Sequence, residues 1–177
     1  MEKRILIDLD SLTRNEEEEE DGGWYLYLKS KWIPKPKNTF IGVEDEKQVA
    51  LERLFAHNWM ITLWTTRPQN EYVELVEDIS NKPKIWSSLD SEKTFLIRNP
   101  LPGEDEVKTK LSLLERNFSQ TLDNSDKLIT VEPSRSWANL LEEYTNNRVI
   151  AHNARDFWQK LPSQKDEGFD RFIYKEE

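Results

Sequence analysis

The chain has 177 residues, a length that suits one domain, and its 34 acidic against 25 basic side chains give a formal net charge of −9. An acidic chain without a basic block argues against tight binding to bare nucleic acid, whose phosphates need Lys and Arg to neutralise them. The absence of cysteine excludes disulfides and thiolate centres, and two histidines, His57 and His152, are too few for a histidine-rich zinc site.

Residues 4–9 (RILIDL) form an apolar run closed by aspartates and predict a buried strand. The acidic run 16–21 and Gly22-Gly23 predict a loop, and 24–34 (WYLYLKSKWIP) alternates as a strand or hairpin would, ended by Pro34 and Pro36. A helix is expected over 44–57, with carboxylates in its first turn, followed by a strand over 59–65 (WMITLWT). Pro68 and Asn70 lead into a helix with Tyr72, Leu75, Val76 and Ile79 on one face. Short strands are expected at 84–87 and 94–98, and a turn at 100–103. A helix follows over 106–118, striped by Val107, Leu111, Leu114 and Phe118. Residues 127–131 predict a strand, and Trp137, Leu140, Leu141 and Tyr144 mark the next helix. A strand at 148–151 and a helix at 154–161 complete the pattern. The tail 162–177 is polar until 169–174, which is expected to dock back.

Strand and helix alternate, so the expected architecture is α/β, a parallel sheet with helices on both faces. The domain is expected to span 1–161, with 14–43 as a small flap after the first strand and no large cap. No stretch reaches the roughly 20 apolar residues of a membrane span. The first strand opens almost at Met1, with no room for a targeting peptide ahead of it, so a cytoplasmic protein is expected, with the nucleus left open.

Ligands of such sheets sit beyond the carboxyl ends of the strands. Three of those ends carry chemistry. Asp8 and Asp10 close the first strand; one carboxylate can attack phosphorus while the other protonates the leaving oxygen. Two negative groups facing a phosphate call for a hard cation, and magnesium suits oxygen ligands of this kind. Thr65 ends the second strand, where its hydroxyl can bond a phosphoryl oxygen, with Thr66 and Arg67 beside it. Lys108 and Lys110 open the helix 106–118, where an ammonium could neutralise a carboxylate and a phosphate. Glu132 follows the strand 127–131 and is a further candidate metal ligand. Taken singly, each has an ordinary structural reading: an aspartate turn, a β-branched strand end, a solvated lysine, a glutamate exposed before Pro133.

In order along the chain, these segments resemble those of the haloacid-dehalogenase superfamily, a Rossmannoid fold, and most closely its branch of phosphatases acting on the C-terminal domain of RNA polymerase II. ILIDLDSLT (5–13) is similar to the DLDxT motif, and ITLWTTRPQNEYVELVEDI (61–79) to the strand ending in Thr and followed by a helix with a Tyr. KTKLSLLERN (108–117) resembles the lysine segment, and LITVEPSRSWANLL (128–141) the final acidic strand followed by a tryptophan. The resemblance implies Asp8 as nucleophile and metal ligand, and Asp10 as general acid/base. It also implies Thr65 as phosphate ligand, Lys108 or Lys110 as the neutralising cation, and Glu132 as the metal-side acid, with Mg2+ as cofactor. Three positions depart from the pattern: Leu12 replaces a threonine, Thr109 replaces the lysine, and Val131 replaces the first of two aspartates.

Two functions follow. One is a metal-dependent phosphomonoesterase acting through an aspartyl-phosphate on a phosphoprotein or a small phosphate ester. The other is a pseudo-phosphatase, the same fold kept as a binding or scaffolding module, with the Trp-rich flap open to a protein partner. A third reading, a nucleic-acid end phosphatase, rests on Lys29, Lys31, Lys35 and Lys37 interleaved with Trp24 and Trp32.

Overall fold

The computed structural model describes residues 3–13, 45–66, 69–98, 106–123, 127–163 and 168–176. The flap expected over 14–43, the turn at 100–103 and Arg67 lie outside them.

The described residues form a parallel sheet of β1 (Arg4–Asp8), β2 (Met60–Thr65), β3 (Phe95–Ile97), β4 (Leu128–Glu132) and β5 (Val149–Asn153), in the order β3-β2-β1-β4-β5. The helices are α1 (Leu9–Thr13), α2 (Asp45–Ala56), α3 (Gln69–Ser80), α4 (Pro83–Trp86), α5 (Glu106–Asp123), α6 (Arg135–Tyr144), α7 (Ala154–Lys160) and α8 (Phe169–Ile173). No helix among the described residues is long and apolar enough to cross a membrane.

Side chains alternate across the strands and build two cores. Ile5, Ile7, Ile61, Leu63, Ile129 and Val131 face one way, under α2, α7 and α8. Leu6, Trp64, Leu128, Val149 and Ala151 face the other, under α5 and α6. Both faces are therefore buried, which explains why the strands read as continuous apolar runs.

Two expectations are corrected. The segment expected as a strand over 84–87 is the helical turn α4, with Pro83 at its first position and Trp86 N–H donating to the Lys82 carbonyl at 2.9 Å. Proline presets the helical φ there and needs no donor, which outweighs the short apolar alternation. The helix expected to end at 118 runs on to Asp123 past a non-helical Phe118 (φ −133°, ψ 26°), because Leu122 still reaches the core.

Helix α8 joins the first core through Phe169 and Ile173, both essentially unexposed. Phe169 stacks on His57 with ring centroids 3.8 Å apart, and Asp170 accepts from Lys3 Nζ (2.8 Å) and Trp59 Nε1 (2.9 Å). The outer rim of β5 is met by side chains: Val149 N–H donates to Thr145 Oγ1 and Ala151 N–H to Glu142 Oε2, both at 3.2 Å, and Lys175 Nζ donates to the Ala151 carbonyl at 2.9 Å.

Candidate functional site

The sheet winds outward in both directions from β1 and β4, so the gap between their carboxyl ends is its switch point. Asp8 is the last residue of β1 and Glu132 the last of β4. Asp8 lies two residues after Leu6 and Glu132 four after Leu128, both of the second core, so alternation turns both carboxylates toward the face covered by α5.

Helix α5 answers them with Lys110. Its Nζ donates to Asp8 Oδ2 and to Glu132 Oε1, both at 2.5 Å. Lys110 is 2% exposed, Asp8 4% and Glu132 0%. The Trp64 ring centre lies 4.6 Å from the ammonium and that of Trp137 5.6 Å, so two indoles flank the charge and keep water from it. Burial alone would lower the Lys110 pKa, but Asp8 and Glu132 outweigh it and raise it. Burial pushes Glu132 up to about 7 against the pull of Lys110. It raises Asp8 too, opposed by Lys110 and reinforced by the charge of Asp10. Two buried carboxylates around one ammonium thus favour retention of a proton by the cluster. The Trp64 indole N–H is near enough to Glu132 to favour its charged form. Even so, neither Trp64 Nε1 nor Glu132 Oε2 has a partner that meets hydrogen-bond geometry among the described residues.

Helix α1 starts immediately after Asp8, and its first turn brings the Asp10 N–H onto Asp8 Oδ1 at 2.8 Å. Asp10 itself is buried. Ser11 Oγ donates to the Val131 carbonyl (3.3 Å) and Trp158 Nε1 to the Ser11 carbonyl (3.0 Å), which pins α1 over β4 and α7.

The structure therefore brings Asp8, Asp10, Lys110 and Glu132 together. Lys108 is exposed, one position round the helix from the buried face. Thr65 and Thr66 are buried at the end of β2, next to β1; Trp64 pairs in register with Asp8, so Thr65 turns by alternation to the opposite face. Val131 enters the first core, away from Glu132, and Leu12 is a core residue as well.

Sequence reasoning missed Trp64 as a wall of the site, although the apolar run containing it was visible. It also missed Lys47, 2% exposed in the first turn of α2. That helix packs on β2 and ends just before β2 begins, so Lys47 lies toward the carboxyl end of the sheet.

Fold and site together define an α/β protein with an all-parallel, Rossmann-like sheet and a buried lysine–carboxylate cluster at its switch point. A scan of protein-family models and searches of curated proteins and of solved structures each give no match to the chain.

Proposed function

We propose that the chain is a phosphomonoesterase of the haloacid-dehalogenase type, working through an aspartyl-phosphate on Asp8, with a phosphoprotein or a small phosphate ester as substrate. The observation that carries this reading is Lys110 bonded at once to Asp8 and Glu132 between the ends of two central strands. An arrangement that buries three charges is costly unless it serves chemistry, because a well-packed apolar cluster would be at least as stable.

In the proposed reaction the Asp8 carboxylate attacks phosphorus and the bond from phosphorus to the ester oxygen breaks. Asp10 gives its proton to the departing oxygen. Asp10 then takes a proton from water, whose oxygen attacks phosphorus and returns Asp8 as carboxylate with release of inorganic phosphate. Lys110 holds Asp8 in place and offsets charge on the transferring group.

Magnesium fits part of the donor set. Asp8, Asp10 and Glu132 offer three carboxylates against the single ammonium of Lys110, an excess of negative oxygen that suits a hard cation. Among the described residues no three acidic or imidazole groups converge as ligands, and Glu132 is engaged by Lys110 and walled by indoles. Asp8 and Asp10 would hold the ion, with phosphate and water completing its shell; bound there, it would neutralise the phosphate. Glu132, expected as a ligand, is better read as the residue that orients Lys110.

One observation favours the pseudo-phosphatase instead. With Val131 in the opposite core and Glu132 committed to Lys110, β4 offers the metal no free carboxylate. Release of p-nitrophenol from p-nitrophenyl phosphate with Mg2+ separates the two. Turnover abolished by Asp8→Asn supports the phosphatase, and turnover indifferent to that change rules out the aspartate route. A wild type inert toward phosphoesters supports the binding module.

A further inference from the structure

Four buried polar atoms on the α5 side of the sheet have no hydrogen-bond partner among the described residues: Trp64 Nε1, Thr130 Oγ1, Glu132 Oε2 and Trp137 Nε1. Trp64 and Trp137 belong to the second core, as does Leu128. Thr130 and Glu132 follow Leu128 at alternate positions of β4, so all four side chains lie on one face. Trp64, Thr130 and Glu132 are 0% exposed and Trp137 is 2% exposed, so bulk solvent does not reach them. Buried polar groups are nearly always paired, and orphans grouped on one face call for a common partner.

Lys110 ties three of the four residues together. Its ammonium bonds Glu132 Oε1 and lies over both rings, 4.6 Å from the centre of Trp64 and 5.6 Å from that of Trp137. An indole N–H lies in the plane of its ring, so the ammonium takes up the ring faces and leaves the N–H edges unused. The Trp64 N–H comes close to Glu132 without meeting hydrogen-bond geometry, and Thr130 stands two residues before Glu132 on the same strand.

The chemistry of these atoms selects the occupant. The two indoles can only donate, an ionised carboxylate oxygen can only accept, and the threonine hydroxyl can do either. An anion would face the carboxylates of Asp8 and Glu132, and a cation would face two N–H donors beside the Lys110 ammonium. A neutral molecule that accepts two hydrogen bonds and donates two suits the set, and water is the smallest that does so.

We infer that an ordered internal water sits between Trp64, Thr130, Glu132 and Trp137, accepting from both indoles and donating to Glu132 Oε2 and Thr130 Oγ1. It fixes the second oxygen of Glu132 while the first holds Lys110. The site rests on the fold and not on the phosphatase reading, so a wild type inert toward phosphoesters leaves it untouched.

The test is NMR of the full chain with 15N-labelled indoles, in the absence of any phosphoester. The Trp64 and Trp137 Nε1–H signals are expected to exchange slowly with deuterated solvent, yet each to show a cross-relaxation peak to water. Single Trp64→Phe and Trp137→Phe variants assign the two signals, and a high-resolution crystal structure of the wild type should show the water within hydrogen-bond distance of both indoles. Thr130→Val keeps the side-chain shape and removes the hydroxyl, and is expected to weaken both water peaks by about twofold or more. A missing water peak at either indole, water peaks unchanged in Thr130→Val, or a crystal structure in which Trp64 Nε1 bonds Glu132 directly overturns the proposal.

Discussion

Asp8 and Glu132 end neighbouring parallel strands and accept hydrogen bonds from one and the same ammonium, that of Lys110. Among the described residues no other cation is bonded to either carboxylate, so the stability of the switch point depends on this lysine.

Lys110→Met therefore leaves two buried carboxylates facing each other. The expected loss is about 3–5 kcal/mol in urea denaturation, and Glu132→Gln in the same background should restore part of it by removing one charge. A Lys110→Met variant as stable as wild type would show that the carboxylates do not depend on the lysine.

Lys108 supplies the contrast. It is exposed on the same helix, so Lys108→Ala should change stability by no more than about 0.5 kcal/mol and leave any p-nitrophenyl phosphate turnover near the wild-type rate. Paired kinetic and unfolding measurements on the two lysine variants check this.

His152 predicts an acid-sensitive fold. Burial pushes its pKa down to about 4; the Ile173 carbonyl and Glu142 raise it and Lys175 lowers it, but burial dominates. The unfolded ring takes up its proton near the ordinary value of about 6.5, so between there and about 4 the unfolded state binds more protons and stability falls as pH falls. The His152 share should be on the order of 3 kcal/mol at the acid end. His152→Gln keeps a donor for Ile173 and removes the titration; unfolding curves at pH 7 and pH 4 should show a smaller difference for this variant than for wild type.

Phe169 tests the clamp made by α8. It is 1% exposed and stacked on His57, so Phe169→Ala should cost about 3–5 kcal/mol, read as a shift in urea midpoint. A shift confined to a few tenths of a kcal/mol would mean that α8 contributes little to the core.

The sheet was legible because burial on both faces leaves near-continuous apolar strings such as RILID and MITLW, and because Asp8 and Thr65 close two of them. The choice between two lysines was also present in the spacing. Lys110 lies three residues after Val107 and four before Leu114, on the buried stripe, while Lys108 does not. The expectation stopped short because a lysine on an apolar face is ordinarily solvated at its tip. Glu132 was hidden more deeply. A glutamate ahead of a proline looks like a turn, and only the pairing of β4 with β1 shows that a buried ammonium waits for it. The helical turn at Pro83 was missed because four residues carry too little periodicity to separate a strand from a helix.

Thr145, Glu142 and Lys175 occupy the bonding positions that an added strand would otherwise take beside Val149 and Ala151. A flank terminated in this way gives an extended peptide or a second copy no backbone ladder to extend, so the sheet stays finite on that side. Recognition along that margin is left to side-chain surfaces rather than to strand addition, and the protection comes from residues that a glance at the β5 sequence alone would never suggest.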